Sequence, residues 1–344
     1  MKIALVTDSF TTGGGLEHIY QICLGMPDIE FGVFAKGGDA KEKFEILPNV
    51  KIYSSGYDEQ YIKAFNPDIV HIHHLKPLLK LYKIDIKSIF TVHGIHLHKY
   101  EFMSGVQAKI LRFFRLNLEK YLYRNVDKII TVSNDDKLFL KEYYKIDSEV
   151  IYNGIDYRPI EQITLTKEQL RDKLNIPKDK QIYLTVARFD FPKGYDILVN
   201  AIKILKNDKK LDNKLFLFVG DGKLINEMKN LVDKFELNKN IIFMGKRSDV
   251  YELMKSSDCF ILPSRWEGFP ITIIEAMACN LPIIASNTYG NRTVKSLEQN
   301  INLFNNLDSL DLSKKILECK EVKYKVNFSI KKMVLNTKGI YESI

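Results

Sequence analysis

Short apolar runs alternate along this chain with longer stretches in which apolar residues return every third or fourth position. The runs predict strands buried on both faces, and the stretches predict amphipathic helices. In the first half the strands fall at residues 2–6, 30–35, 69–72, 88–92, 128–132 and 149–152. Helices fall at about 15–24, 106–125 and 134–144, the last with Asn134 placed to cap it. Asn153-Gly154 signals a turn, and residues 155–180 form a polar connection with Pro159, Pro177 and a short helix near 167–174. The pattern then repeats, with strands at 182–187, 215–219, 241–244, 259–262 and 282–285. Its helices fall at about 195–205, 224–235, 250–255 and 271–278.

Strands alternating with helices specify an α/β fold with doubly wound parallel sheets. At 344 residues the chain exceeds what one core usually supports. The expected organisation is therefore a Rossmann-like domain over 1–155, a second over 156–320, and a helical tail over 321–344 packing back toward the first. Two such domains in series face each other across a cleft at the carboxyl ends of their strands, where ligands of this architecture bind.

Composition narrows the field. Apolar residues make up 45% and charged residues 27%, which is an ordinary globular balance. The net charge is +8, but no long basic run accompanies it. That argues against nucleic acid and suits phosphorylated small molecules or anionic lipid. Four separate cysteines without a CxxC pair imply neither zinc nor a dithiol centre, and fit a reducing compartment. The first residues turn polar too quickly for a leader, and no run of eighteen apolar residues occurs. A cytoplasmic location is expected, including the inner face of the cytoplasmic membrane.

Four constellations carry candidate chemistry. Gly13-Gly14-Gly15-Leu16-Glu17 follows the first strand and opens a helix, a geometry suited to phosphate or sugar oxygens, or simply to a turn. All seven histidines precede residue 99; His71, His73 and His74 end one strand and His93 the next, so adjacent strand ends would bring them together. Acceptor binding by His93 suits this placement better than a zinc site, since no Cys or well-spaced Glu joins the group. His96 and His98 read as lid or surface residues. Arg188 and Lys193 lie in a loop after the second domain's first strand, where two cations can neutralise a diphosphate. A charged surface loop is the plainer alternative. Residues 264–276 place Glu267 before a helix and Glu275 inside it, around Gly268-Phe269-Pro270-Ile271. The N–H groups of Gly268, Phe269 and Ile271 can meet ligand oxygens; Pro270 has none. Glu275, in an otherwise apolar helix, requires a partner, either ligand hydroxyls or a core cation.

Taken together, these residues resemble the retaining glycosyltransferases of GT-B architecture, in the branch of bacterial mannosyl-, glucosyl- and N-acetylglucosaminyltransferases of cell-surface glycans (family 4, group 1). The marks are Glu267 and Glu275 eight positions apart, Arg188 with Lys193-Gly194, Asn153-Gly154, Gly220-Asp221-Gly222 and Gly14-Gly15-Leu16-Glu17. The resemblance implies an acceptor-binding first domain and a nucleotide-sugar-binding second one. It implies a nucleoside-diphosphate sugar donor, linked to UDP or GDP, with no bound metal or separate cofactor, and a glycan or lipid-linked glycan acceptor. By resemblance Arg188 and Lys193 bind the diphosphate, Glu275 the ribose, and Glu267 with Gly268, Phe269 and Ile271 the transferred sugar. Gly14 and Gly15 close over the phosphates, Gly245, Lys246 and Arg247 flank the base, and His93 stands beside the reacting sugar. One departure is residues 287–292, where Gly290 alone remains of a Gly-Gly pair and following glutamate. The rival readings are a phosphorylase or epimerase of the same fold and a non-catalytic nucleotide-sugar binder.

Residues 109–124 add a possible surface function. Lys109, Arg112, Arg115, Lys120 and Arg124 are interleaved with apolar residues against a single acid, Glu119. On a helix, Ile110, Phe114, Leu118, Tyr121 and Leu122 share one face expected to pack on the domain's own sheet. Phe113, Leu116 and Tyr123 would lie among the cations, suited to peripheral contact with anionic membrane.

Overall fold

A computed structural model describes every residue except Thr12 and Asp39. The described residues form two compact units: Met1–Ile155 together with Phe328–Ile344, and Asp156–Asn327. No described helix is long and apolar enough to cross a membrane.

The first unit is built on seven parallel strands: β1 (Lys2–Ser9), β2 (Glu30–Lys36), β3 (Val50–Tyr53), β4 (Ile69–His73), β5 (Lys87–Val92), β6 (Lys128–Thr131) and β7 (Glu149–Val150). Their order is β3-β2-β1-β4-β5-β6-β7. Ile3, Ala4, Leu5 and Val6 of β1 are all fully buried. The side chains of one strand point alternately to the two faces, so full burial means that both faces are covered. Ile3 and Leu5 join one core, with Ile19, Ile22 and Phe31. Ala4 and Val6 join the opposite one, with Phe34, Ile72 and Phe90. Helix α1 (Gly14–Gly25) follows β1, and α2 (Val106–Tyr123) lies between β5 and β6.

The second unit has six parallel strands: β8 (Gln181–Val186), β9 (Lys214–Val219), β10 (Ile241–Gly245), β11 (Cys259–Leu262), β12 (Ile283–Ser286) and β13 (Asn302–Phe304). Their order is β10-β9-β8-β11-β12-β13. Helices α3 (Tyr195–Asn207), α4 (Ile271–Ala278) and α5 (Tyr289–Leu297) follow β8, β11 and β12. The short helix of the connection is Lys167–Leu174, held by a capping box in which Thr166 and Gln169 satisfy each other's backbone N–H groups. The chain then returns to the first unit at Phe328, so residues 321–327, expected in the tail, belong with the second unit. Helix α6 (Ile330–Glu342) packs beside α1, with Met333 and Tyr341 in its core.

Both sheets reverse winding direction between neighbouring strands, at β1/β4 and at β8/β11. Ligands of open α/β sheets bind beyond the carboxyl ends of the strands at such switch points. The segments that emerge there are Gly13–Gly15 and His74 in the first unit, and Arg188–Lys193 and Ser264–Glu267 in the second.

Three local expectations are corrected. Ser133, rather than Asn134, caps the helix Asn134–Phe139: its hydroxyl accepts the Asp136 N–H. His98 is buried against Glu101 Oε1 at 2.8 Å, whereas His96 is exposed. The largest correction concerns α2, which is turned opposite to its apolar pattern. Ile110, Phe114, Leu118 and Tyr121, expected inside, are exposed, and only Leu122 of that group is buried. The inner face instead carries Ala108, Glu119 and Tyr123, with Arg112 and Arg115 partly covered. Burying Glu119 is feasible because Arg115 Nε donates to one carboxylate oxygen and Tyr144 Oη donates to the other, at 2.5 and 2.6 Å.

Candidate functional site

In the second unit the loop after β8 and the loop after β11 lock together. Lys193 Nζ lies 2.7 Å from Glu267 Oε1, and the Ser264 hydroxyl donates to the same oxygen at 2.6 Å. Arg265 forks onto both oxygens of Asp196 at 2.9 and 2.6 Å, donates to the Phe191 carbonyl and covers the Phe191 ring. Its backbone N–H donates to the Pro192 carbonyl at 2.7 Å. Arg188 pairs with Asp190 at 3.2 Å while its side chain remains 54% exposed. One loop is therefore fixed by charge, and it leaves one accessible guanidinium and one ammonium at the switch point.

Helix α4 starts at Ile271 behind Pro270, without a side-chain cap. Its first N–H groups have no acceptor within the helix and form a positive end beside Glu267. Gly290 at the start of α5 donates its N–H to the Glu267 carbonyl at 3.3 Å. A Cβ at Gly290 would fall 2.0 Å from the Gly268 carbonyl oxygen, so this position requires glycine for its close approach. Beneath the loops, Asn291 donates to the Ser286 carbonyl at 2.8 Å, and the Ser286 hydroxyl donates to the Ser264 carbonyl. Glu275 is half-buried and accepts from Tyr251 Oη at 3.2 Å. Gly245 stands at the end of β10 with φ +66°. Lys246 is exposed, and Arg247 is held by Asp249. The predicted residues of this unit thus lie on the carboxyl-end loops of β8, β10 and β11 and on the helix after β11. Lys193 and Glu267, read from the sequence as separate contacts, are partners of each other.

The first unit gathers five imidazoles. The rings of His71 and His73 lie 4.2 Å apart, those of His73 and His93 5.2 Å, His18 and His93 5.0 Å, and His74 and His93 5.7 Å. His18 Nδ1 hydrogen-bonds Asn153 Oδ1 at 2.8 Å. His71 is held on both sides, Nδ1 by Tyr341 Oη and Nε2 by Thr91 Oγ1, each at 2.7 Å. His73 Nδ1 pairs with His93 Nε2 at 2.9 Å, and His74 Nδ1 with Thr7 Oγ1 at 2.9 Å. Burial holds the His18 imidazolium off, lowering its pKa to about 4, and holds His71, His73 and His93 well below the usual histidine range. His74 has φ +81°, a strained value for a residue with a side chain. This conformation lays its ring over Gly15, where a Cβ would meet His74 Cε1 and Nε2 at 2.9 Å. The glycine turn and His93 are therefore parts of one cluster. Among the described residues, no three His, Cys, Asp or Glu side chains converge as a metal would require.

Sequence reasoning missed His18, Asn153, Thr91 and Tyr341 as members of this cluster, and Ser264, Ser286, Asn291 and Asp196 in the other unit. His18 was detectable, since it lies one turn after Gly14-Gly15 on α1, facing the sheet. The others are set by register and tertiary contact.

Comparison with known proteins gives a consistent result. A family model described as "Glycosyltransferase Family 4" matches residues 18–158, and one described as "Glycosyl transferases group 1" matches 166–328. The chain is 29% identical over 278 residues to an uncharacterized glycosyltransferase, MJ1059, of Methanocaldococcus jannaschii, covering 76% of this chain and 66% of that one. It is 30% identical over 237 residues to UDP-Gal:alpha-D-GlcNAc-diphosphoundecaprenol alpha-1,3-galactosyltransferase of Escherichia coli, covering 67% of this chain and 60% of that one. In both cases the match spans less than two thirds of the relative. Among solved structures, Alr3699/HepE of Anabaena, in complex with UDP-glucose, superposes with a TM-score of 0.81 at 19% identity, covering all of both chains.

Proposed function

We infer the function from one premise: this chain belongs to the glycosyltransferases of GT-B fold. We propose that it moves a hexose from a UDP- or GDP-linked sugar to an acceptor hydroxyl, with retention at the anomeric carbon, in the synthesis of a cell-surface polysaccharide or lipid-linked glycan. The observation that carries this reading is the Lys193–Glu267–Ser264 cluster beside the open start of α4. It sets a cation, a carboxylate and a helix N-terminus at one switch point, as a sugar diphosphate requires.

In this reading Arg188 and Lys193 stabilise the charge that grows on the leaving diphosphate. Glu267 and the backbone of Gly268, Phe269 and Ile271 hold the sugar, and Glu275 accepts from the ribose. Gly14 and Gly15 cover the phosphates, and Gly245, Lys246 and Arg247 flank the base. The bond from the anomeric carbon to the phosphate oxygen breaks, and one to the acceptor oxygen forms on the same face. The acceptor proton passes to the leaving phosphate. Hydrolysis with retention uses a facing carboxylate as nucleophile; the front-side route needs none, and positive charge at the phosphate suffices.

A panel of UDP- and GDP-sugars read by thermal stabilisation tests the donor. At a hundredfold excess over Kd, the true donor adds about 2.7 kcal/mol, a shift of several degrees. A panel in which no sugar nucleotide raises Tm would remove the proposal.

The outward face of α2 supports an acceptor met at an anionic membrane. Phe113 and Phe114 are each 65% exposed, and Ile110, Leu111 and Tyr121 about half exposed, beside Lys109, Lys120 and Arg124. Of the side chains expected among the cations at the membrane, Phe113 is exposed, Leu116 is partly covered and Tyr123 is buried; Arg112 and Arg115 are partly covered too, so the exposed apolar side chains themselves meet the lipid. Co-sedimentation with vesicles containing anionic phospholipid should fall about tenfold or more in Phe113→Ser, Phe114→Ser. Wild-type protein that stays in solution at low salt would exclude the membrane.

A further inference from the structure

His73 is fully buried, and its two ring nitrogens have different fates. Nδ1 lies 2.9 Å from His93 Nε2, whereas Nε2 has no hydrogen-bond partner. The adjacent ring, His71, cannot serve it, because Tyr341 and Thr91 occupy both of its nitrogens. One proton is shared between His73 Nδ1 and His93 Nε2, and a neutral imidazole carries a single N–H. If His93 donates, His73 accepts at Nδ1 and carries its proton on Nε2, leaving an N–H stranded in the core. If His73 donates, its Nε2 is a bare lone pair and no donor is stranded. Buried N–H groups without an acceptor are the rarer defect in folded proteins. The second arrangement is therefore selected, and it determines His93. With its Nε2 accepting, neutral His93 carries its proton on Nδ1. Its one hydrogen bond among the described residues is the bond to His73.

We propose that His73 is a positioning residue that holds His93 in its Nδ1–H tautomer, so that His93 offers a substrate oxygen a hydrogen-bond donor and no basic lone pair. The proposal rests on the placement of His93 beside the reacting sugar and deepens that reading. Protonating His93 on Nε2 would set two N–H groups against each other across 2.9 Å, so His93 cannot take the acceptor proton there. Its Nδ1 already carries a proton. His93 therefore orients a hydroxyl of the sugar or acceptor, and the proton goes to the leaving phosphate.

The test has two arms. Long-range ¹H–¹⁵N correlation on the full chain, labelled at histidine, reads the tautomer directly without any ligand. The expected result is His93 protonated on Nδ1 in the wild type and in His73→Asn, whose side-chain amide can donate from the position of Nδ1, but not in His73→Leu. In the kinetic arm, with the donor sugar nucleotide, His73→Asn should keep kcat/KM within about threefold and His73→Leu should lose roughly tenfold or more. His73→Gln, whose amide sits one methylene further out, should not rescue. A wild-type His93 carrying its proton on Nε2 would overturn the proposal, as would equal losses in the Asn and Leu variants at equal Tm. If no sugar nucleotide is turned over at all, the glycosyltransferase reading fails while the spectroscopic arm still decides the role of His73.

Discussion

In the second unit the switch-point loops are held by ion pairs, Lys193 to Glu267 and Arg265 to Asp196; in the first unit the equivalent position is packed with imidazoles kept neutral by burial. A carboxylate and an ammonium set against each other at a loop each stabilise the partner's charge. Imidazoles stacked in a core have no counter-ion, so neutrality is the cheaper state. In the proposed function the difference matches two tasks. A leaving diphosphate requires fixed positive charge, whereas an uncharged hydroxyl requires orientation by donors and acceptors. Charge should therefore dominate the effect of mutation in one unit and hydrogen-bond direction in the other.

The largest effects should come from removing the charges of the second unit. Lys193→Ala takes away the proposed phosphate ligand and leaves the Glu267 carboxylate, only 10% exposed, without its cation. Losing one partner of such a pair costs roughly 2–5 kcal/mol, which corresponds to a fall in kcat/KM of about 30-fold to several thousandfold. Arg188→Ala should weaken donor binding comparably but leave Tm unchanged, since its side chain is half exposed. Glu275→Gln should also weaken donor binding, because an amide accepts less strongly from ribose hydroxyls than a carboxylate. Calorimetry with the donor and a melting curve separate the three. Donor affinity unchanged in all of them would show that the charged cluster is structural and would erase the contrast between the units.

The legibility of the two regions differs for the same physical reason. The glutamate pair of 264–276 and the cations of 188–193 are contiguous in sequence, because each loop leaves the end of one strand. Their residue types were readable, yet Lys193–Glu267 as a mutual pair was not, since it depends on which strands are neighbours. In the histidine cluster the meeting of His71, His73 and His74 with His93 followed from adjacent strand ends, whereas the arrival of Asn153 from its turn and of Tyr341 from α6 depends on tertiary contacts that no local pattern foretells. Central strands such as β1 and β8 were read correctly because both faces are buried. The edge strands β3 and β13 escaped because they are short and half-covered. Helix α2 misled for an instructive reason: amphipathicity gives the direction of a face only when burial is what the apolar face serves, and here Glu119, Arg115 and Tyr144 satisfy one another inside instead.

A smaller effect should appear in the response to acid. His18 titrates at about 4 when folded and near 6.5 when unfolded. Between those values the unfolded chain binds more protons, so stability falls as pH drops through this window. The shift corresponds to a loss on the order of 3 kcal/mol from His18 alone by pH 4. His71, His73 and His93 are displaced in the same direction and add to it. The second unit contains no histidine, and the single tryptophan, Trp266, lies in it. Hydrogen-exchange protection factors in the first unit, taken relative to the intrinsic exchange rate at each pH, should therefore fall between pH 6.5 and 5, while the Trp266 fluorescence transition in denaturant moves much less. Equal loss in both units would show that the imidazoles are not what sets the acid response.

The smallest effect should come from chelation, and its value lies in what it tests. In the proposed function Arg188 and Lys193 are the cations that meet the diphosphate, so a divalent ion bridging the phosphates would be redundant with them. In the first unit the five imidazoles are directed at one another and at Asn153, Thr91, Tyr341 and Thr7, and each such bond uses a nitrogen that a metal would need. Both plans predict that turnover by purified protein dialysed against EDTA stays within about twofold of the untreated rate. Added Mg²⁺ or Mn²⁺ should change little. A rate that collapses in chelator and returns only with Mg²⁺ would mean that the charge of the second unit is insufficient for the leaving group. A rate that returns only with Zn²⁺ would implicate the histidines, and would require His73 and His93 to exchange their mutual hydrogen bond for a metal. The identity of the restoring ion would thus show which of the two regions has been misjudged.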